Sequence, residues 1–196
     1  MSKTFGVLTS GGDSPGMNAA VVSVARFAEQ YGIDLMGIRR GYNGLLGKND
    51  NELNDIRKLR SETVLDILDL RGTYLRTARC EEFKLPEVLD RVADDLKHKY
   101  HIDGLVIIGG DGSYKGALDL CKRGIPCVGI PGTIDNDLPY TEATLGYDTA
   151  VNVCVEAVRS IRATSRSHDR PHVVEVMGRY CGDIAMRTAI ATGAES

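Results

Sequence analysis

Several common sequence signatures are missing from this chain, and each absence removes a class of protein. Its five cysteines, Cys80, Cys121, Cys127, Cys154 and Cys181, are odd in number, widely spaced and without a CxxC pair. That pattern suggests neither a disulfide framework nor a zinc site, and it reads instead as reduced core thiols in the cytosol. Positive charge is not in excess: the net charge is -3 and the isoelectric point is about 5.8. A nucleic-acid partner would normally require a concentrated basic face. No apolar run approaches the ~20 residues of a membrane span, and the start MSKTFGVLTSGGD lacks a charged stretch followed by a long apolar one. The expectation is a cytoplasmic protein with no membrane partner. Repeats and low-complexity tracts are also missing, so 196 residues of ordinary composition form one large or two small domains with a real core.

What is present is alternation. Short apolar runs at Phe5–Thr9, Leu35–Ile38, Leu105–Ile108, Cys127–Ile130 and Val173–Val176 predict strands. Between them, apolar residues recur at spacings of three and four. Met17, Ala20, Val21, Val24 and Ala28 mark one helical face, and Val88, Leu89, Val92 and Leu96 mark another after Pro86. Further helices are expected near Lys115–Cys121, from about Tyr147 to Arg162, and from about Asp183 to Thr192. Strand and helix in this order predict an α/β fold, an open, mostly parallel sheet with helices on both faces. Residues 40–60, GYNGLLGKNDNELNDIRKLR, are polar and glycine-rich and read as a surface excursion.

Open α/β sheets bind ligands beyond the carboxyl ends of their strands, where the following helices point their positive ends. The loops to read are therefore residues 10–16, 109–113, 131–137 and 177–179. All four carry glycine, which lets backbone N–H groups approach an anion. None matches the dinucleotide GxGxxG or the GxxxxGK[ST] phosphate loop. Acidic residues stand in three of them, and an acid beside a phosphate implies a divalent cation between the two, so Asp111 is a candidate Mg2+ ligand. A helix N-cap is the structural alternative for Asp111, and a plain turn is the alternative for PGTIDND. Arg76, Arg79, Arg162, Arg166 and Arg170 supply planar forks suited to phosphate, although Arg166 reads better as a solvated helix end and His168 as a surface residue.

Four motifs, LTSGGDSPGMNAA at 8–20, VIIGGDGSYKGA at 106–117, GIPGTIDND at 129–137 and VVEVMGRYCGD at 173–183, together resemble the phosphofructokinase family. The likeness extends over essentially the whole chain and is greatest to bacterial ATP-dependent members, which phosphorylate the 1-hydroxyl of fructose 6-phosphate. It implies a Rossmann-like nucleotide-binding domain over 1–138 and the start of a sugar-phosphate domain, incomplete, over 139–196. By resemblance Asp135 is the catalytic base, and Thr133, Asp137, Arg170, Met177, Gly178 and Arg179 bind the sugar phosphate, with Arg170 reaching into a neighbouring subunit. Gly11, Arg79, Cys80, Gly110, Asp111, Gly112 and Ser113 match nucleotide-binding positions, and Asp111 matches the magnesium position. Gly112 and Gly132 are the small residues typical of ATP users, where pyrophosphate-using relatives commonly carry larger ones. ATP as donor, Mg2+ as cofactor and a homo-oligomer, a homotetramer in full-length relatives, follow from the same resemblance.

The sequence also departs from the family. Bacterial members are longer, and their additional part carries further sugar-phosphate ligands, so the resemblance implies a truncated form with weak or no kinase activity alone. Arg26, Arg162 and Glu195 match effector positions, but Val22 replaces a frequent arginine and residues 45–66 hold extra residues. Allosteric control by a nucleotide diphosphate is therefore an expectation from only part of the pocket. NAD kinases and lipid kinases share the GGDG turn but not PGTIDND or MGR. A non-catalytic nucleotide-binding module and a pyrophosphate-dependent enzyme are the alternatives to an ATP-dependent kinase.

Overall fold

The computed structural model describes residues 2–47 and 55–195. Its centre is a six-stranded sheet in the order β3-β2-β1-β4-β5-β6. The strands are β1 (Thr4–Ser10), β2 (Asp34–Ile38), β3 (Ile56–Leu59), β4 (Gly104–Gly109), β5 (Cys127–Thr133) and β6 (Leu145–Gly146). All neighbours run parallel except β3, which is antiparallel to β2. The helices are α1 (Met17–Gln30), the single turn α2 (Ser61–Val64), α3 (Pro86–Asp94), α4 (Asp111–Cys121), α5 (Tyr147–His168) and α6 (Asp183–Thr192). This is the α/β architecture that the alternation predicts.

Apolar side chains cover both faces of the sheet. On one face Val7 and Ile108 pack with Met17, Val21, Val22 and Ala25 of α1, and with Val64 and Leu75. On the other, Leu8, Leu105 and Ile107 pack with Leu89, Val92, Leu96 and Leu120. The central strands read as continuous apolar runs because neither face meets water.

The chain visits β2 and β3 on one side of β1 and then crosses to β4 on the other, so the strand order reverses between β1 and β4. Loops leaving these two neighbours diverge there and open a crevice at their carboxyl ends. Register brings the loops level: Ser10 pairs with Gly109, Gly109 with Pro131 and Thr133 with Gly146.

Three expectations need correction. Residues 40–60 are not a surface excursion where they are described: Gly41–Leu45 forms a 3-10 turn with Tyr42 and Leu45 buried, and Ile56–Leu59 is β3. Residues 48–54 of that stretch lie outside the described residues. Val173–Val176 is not a strand, since it has no strand neighbour among the described residues, and Val173 is fully exposed. Apolar β-branched residues favour an extended backbone, but a strand also needs a partner ladder. The cysteines are not buried core residues either: none is in a disulfide among the described residues, Cys121 is exposed, and of the four half-buried ones Cys80 and Cys127 pack against the margin of the core. Among the described residues no helix is long and apolar enough to cross a membrane.

Candidate functional site

The loops after β1 and β4 are built against one another. Gly109 leaves no room for a side chain: a Cβ there would stand 2.4 Å from Ser113 Oγ and 2.6 Å from the Ser10 carbonyl. The space it vacates lets Ser113 Oγ donate to the Ser10 carbonyl at 3.1 Å, tying the two turns together. Gly11 has φ +91, a conformation that favours glycine, and its carbonyl accepts a hydrogen bond from Thr77 Oγ1 at 2.8 Å. Beyond these contacts the turn is open, because nothing lies within 4 Å of where a Cβ would stand on Gly12 or Gly112. Gly110 is the N-cap of α4, which puts the first N–H groups of an eleven-residue helix at the crevice.

Asp111 is the first residue of α4, and its carboxylate makes no capping bond; it accepts from Lys115 Nζ at 2.6 Å, one turn along the helix. The N-cap alternative is therefore not the one realised. Among the described residues no cluster of three or more histidine, cysteine, aspartate or glutamate side chains could cage a metal. Magnesium does not need such a cage, since it is commonly held by one or two carboxylates together with substrate phosphates and water. An exposed hard-oxygen donor beside an open glycine turn suits that mode.

A second layer supports the turn. Tyr42 stacks on Phe83 with ring centroids 4.1 Å apart, and its hydroxyl donates to the Ser113 carbonyl at 2.6 Å. Burial holds that phenol well above its ordinary pKa, so it stays a donor. Asn43 Nδ2 donates to the Arg79 carbonyl at 3.1 Å, placing exposed Arg79 and half-buried Cys80 beside the same crevice. The sequence reading misses Tyr42 and Asn43, because they sit in the stretch whose polar composition reads as a loop.

The loop after β5 carries the paired carboxylates. Thr133 Oγ1 accepts from the Asp135 N–H at 3.2 Å, and Gly110 faces Thr133, with its Cβ position 3.7 Å from Thr133 Cβ. Asn136, at φ +52, is engaged by Thr144. Its Oδ1 accepts from the Thr144 N–H at 2.9 Å, while Thr144 Oγ1 donates to the Thr133 carbonyl at 2.6 Å. That latch separates the side chains on either side of Asn136 from its own. Burial, and then the nearby Asp137 charge, hold the Asp135 carboxyl above its usual range, and the Arg179 guanidinium opposes them. Arg179 follows Gly178, whose φ of +154 and Cβ position 2.3 Å from the Cys181 carbonyl admit only glycine. The MGR turn thus delivers its arginine to the PGTIDND loop, with Met177 exposed at its edge.

Other candidate residues lie apart. Arg170 is exposed beyond the end of α5. Arg162 donates to the Thr192 carbonyl at the end of α6, Glu195 is exposed beyond that end, and Arg26 is exposed on α1. Gly132 differs from Gly112: its Cβ position faces Met17 and Ile108 at 3.1 and 3.2 Å. Its smallness is required by packing beneath the loop, and it is Gly112 that leaves room for a nucleotide.

A family profile described as phosphofructokinase matches residues 4–196. The chain belongs to the phosphofructokinase family. An ATP-dependent 6-phosphofructokinase of Clostridium botulinum is 53% identical over 194 residues, which are 99% of this chain and 59% of that protein. The enzyme of that name from Shouchella clausii is 52% identical over the same shares. The chain therefore spans 59% of the length of these phosphofructokinases. The solved phosphofructokinase of Saccharomyces cerevisiae superposes with a TM-score of 0.88 at 38% identity, covering 99% of this chain and 28% of that one.

Proposed function

We propose that this chain carries the nucleotide site and the catalytic loop of an ATP-dependent kinase that phosphorylates the 1-hydroxyl of fructose 6-phosphate. The observation that carries this reading is the convergence of the loops after β1, β4 and β5, with Asp135 beside Asp137 and Arg179 and across from an open GGDG turn. Residues 1–138 would form the main part of the nucleotide-binding domain and 139–196 the beginning of the sugar-phosphate domain. Two relatives named ATP-dependent support ATP over pyrophosphate, as does the open space at Gly112.

In this reading Gly11, Gly110, Gly112 and Ser113 hold the nucleotide phosphates through backbone N–H groups, with Arg79 and Cys80 at the flank. Thr133, Asp137, Arg170, Met177, Gly178 and Arg179 orient the sugar phosphate. Asp135 accepts the hydroxyl proton as the bond to phosphorus forms, and its neighbours neutralise charge and fix the line of attack. Asp111 would hold Mg2+, which when bound draws charge from the phosphate oxygens. Arg26, Arg162 and Glu195 are proposed effector residues for a nucleotide diphosphate. A homo-oligomer in the cytoplasm completes the proposal.

For the isolated chain we expect nucleotide binding with weak or no turnover, because it spans 59% of the length of the kinases it matches and the Arg170 side chain is exposed. Calorimetric titration checks the donor. Mg·ATP should bind at one site and Mg·pyrophosphate much more weakly, and Gly112→Asp should abolish ATP binding. Preference for pyrophosphate would overturn the assignment.

A further inference from the structure

We propose that Lys115 is a specificity-determining residue that occupies Asp111 until a metal–nucleotide complex displaces it, so that the site keeps affinity for metal-free nucleotide and separates it less sharply from the metal-bound form. This rests on the reading of Asp111 as the magnesium ligand. Lys115 Nζ lies 2.6 Å from Asp111 Oδ2, at the favourable aspartate-to-lysine spacing of four, and both side chains are more than half exposed. Asp111 opens α4 at the mouth of the crevice, where the cleared space at Gly12 and Gly112 admits phosphates.

Two consequences follow from charge. Without a divalent cation, a bare carboxylate at this position would repel a polyphosphate, and the ammonium neutralises it. With a cation present, Asp111 Oδ2 must be given up by Lys115 or shared, so the lysine competes with the metal. A solvent-exposed ion pair is weak enough to exchange. The freed ammonium can then turn to phosphate oxygens, which a neutral side chain could not contact in the same way. A lysine here therefore narrows the difference in ATP affinity between metal-free and metal-bound conditions.

The measurement is the affinity of the chain for ATP in EDTA and in Mn2+, followed by calorimetry, for wild type, Lys115→Gln, Lys115→Arg and Asp111→Asn. The quantity read is the ratio of Kd in EDTA to Kd in Mn2+. Lys115→Gln should raise it about three- to tenfold, the scale of a unit charge acting on a divalent ion a few ångströms away in water, and Lys115→Arg should restore it. An unchanged ratio in Lys115→Gln, with Asp111→Asn lowering it, overturns the role of Lys115 and leaves the magnesium reading intact. A ratio untouched by Asp111→Asn, or no ATP binding under either condition, overturns both. Circular dichroism of each variant confirms that the exposed substitutions leave the fold in place.

Discussion

Asp135 is a base held under tension by its surroundings. Burial and the Asp137 carboxylate raise its pKa above the ordinary 3.8, so ionising it costs folding free energy. By linkage, its contribution to stability is full below its unfolded pKa and is lost as pH rises through the higher folded value. Asp135→Asn should therefore melt above wild type at pH 7, with the gain shrinking toward pH 4. Thermal unfolding at the two pH values checks it; a variant less stable at pH 7 would contradict the raised pKa. Asp135 was legible in the sequence through the PGTIDND motif. The part played by Asn136 was not, because its use as a latch depends on Thr144, eight residues away.

At the scale of elements, the central strands β1 and β4 were legible because burial writes itself into sequence as apolar runs, and β5 through its β-branched residues although it is only partly buried. β3 was not. It is a four-residue edge strand with only its end residues buried, and its composition is that of a loop. The opposite error occurred at Val173–Val176, where composition reports propensity and pairing requires a neighbour. The β1 and β4 turns also show why glycine spacing mattered. Gly109→Ala would drive a methyl into Ser113 Oγ and the Ser10 carbonyl, costing about 1–3 kcal/mol in urea unfolding. The same substitution should weaken ATP binding, whereas alanine at open Gly12 should be close to neutral for stability.

The whole molecule presents surfaces that its described residues leave uncovered. Val128 on β5 is 65% exposed, Val173 fully so, and Ile190 on α6 is 75% exposed. The chain spans 59% of the Clostridium botulinum phosphofructokinase, which supplies a means of testing function without further assumptions about this sequence. The direct measurement is phosphoryl transfer from ATP to fructose 6-phosphate by a chimera that joins this chain to the C-terminal part of that relative. The chimera should catalyse transfer, and Asp135→Ala should slow it by about 10²–10⁴-fold, the usual contribution of a positioned base, while leaving ATP affinity nearly unchanged. Equal rates in the chimera and its Asp135→Ala variant would contradict the assignment of this loop as the catalytic centre.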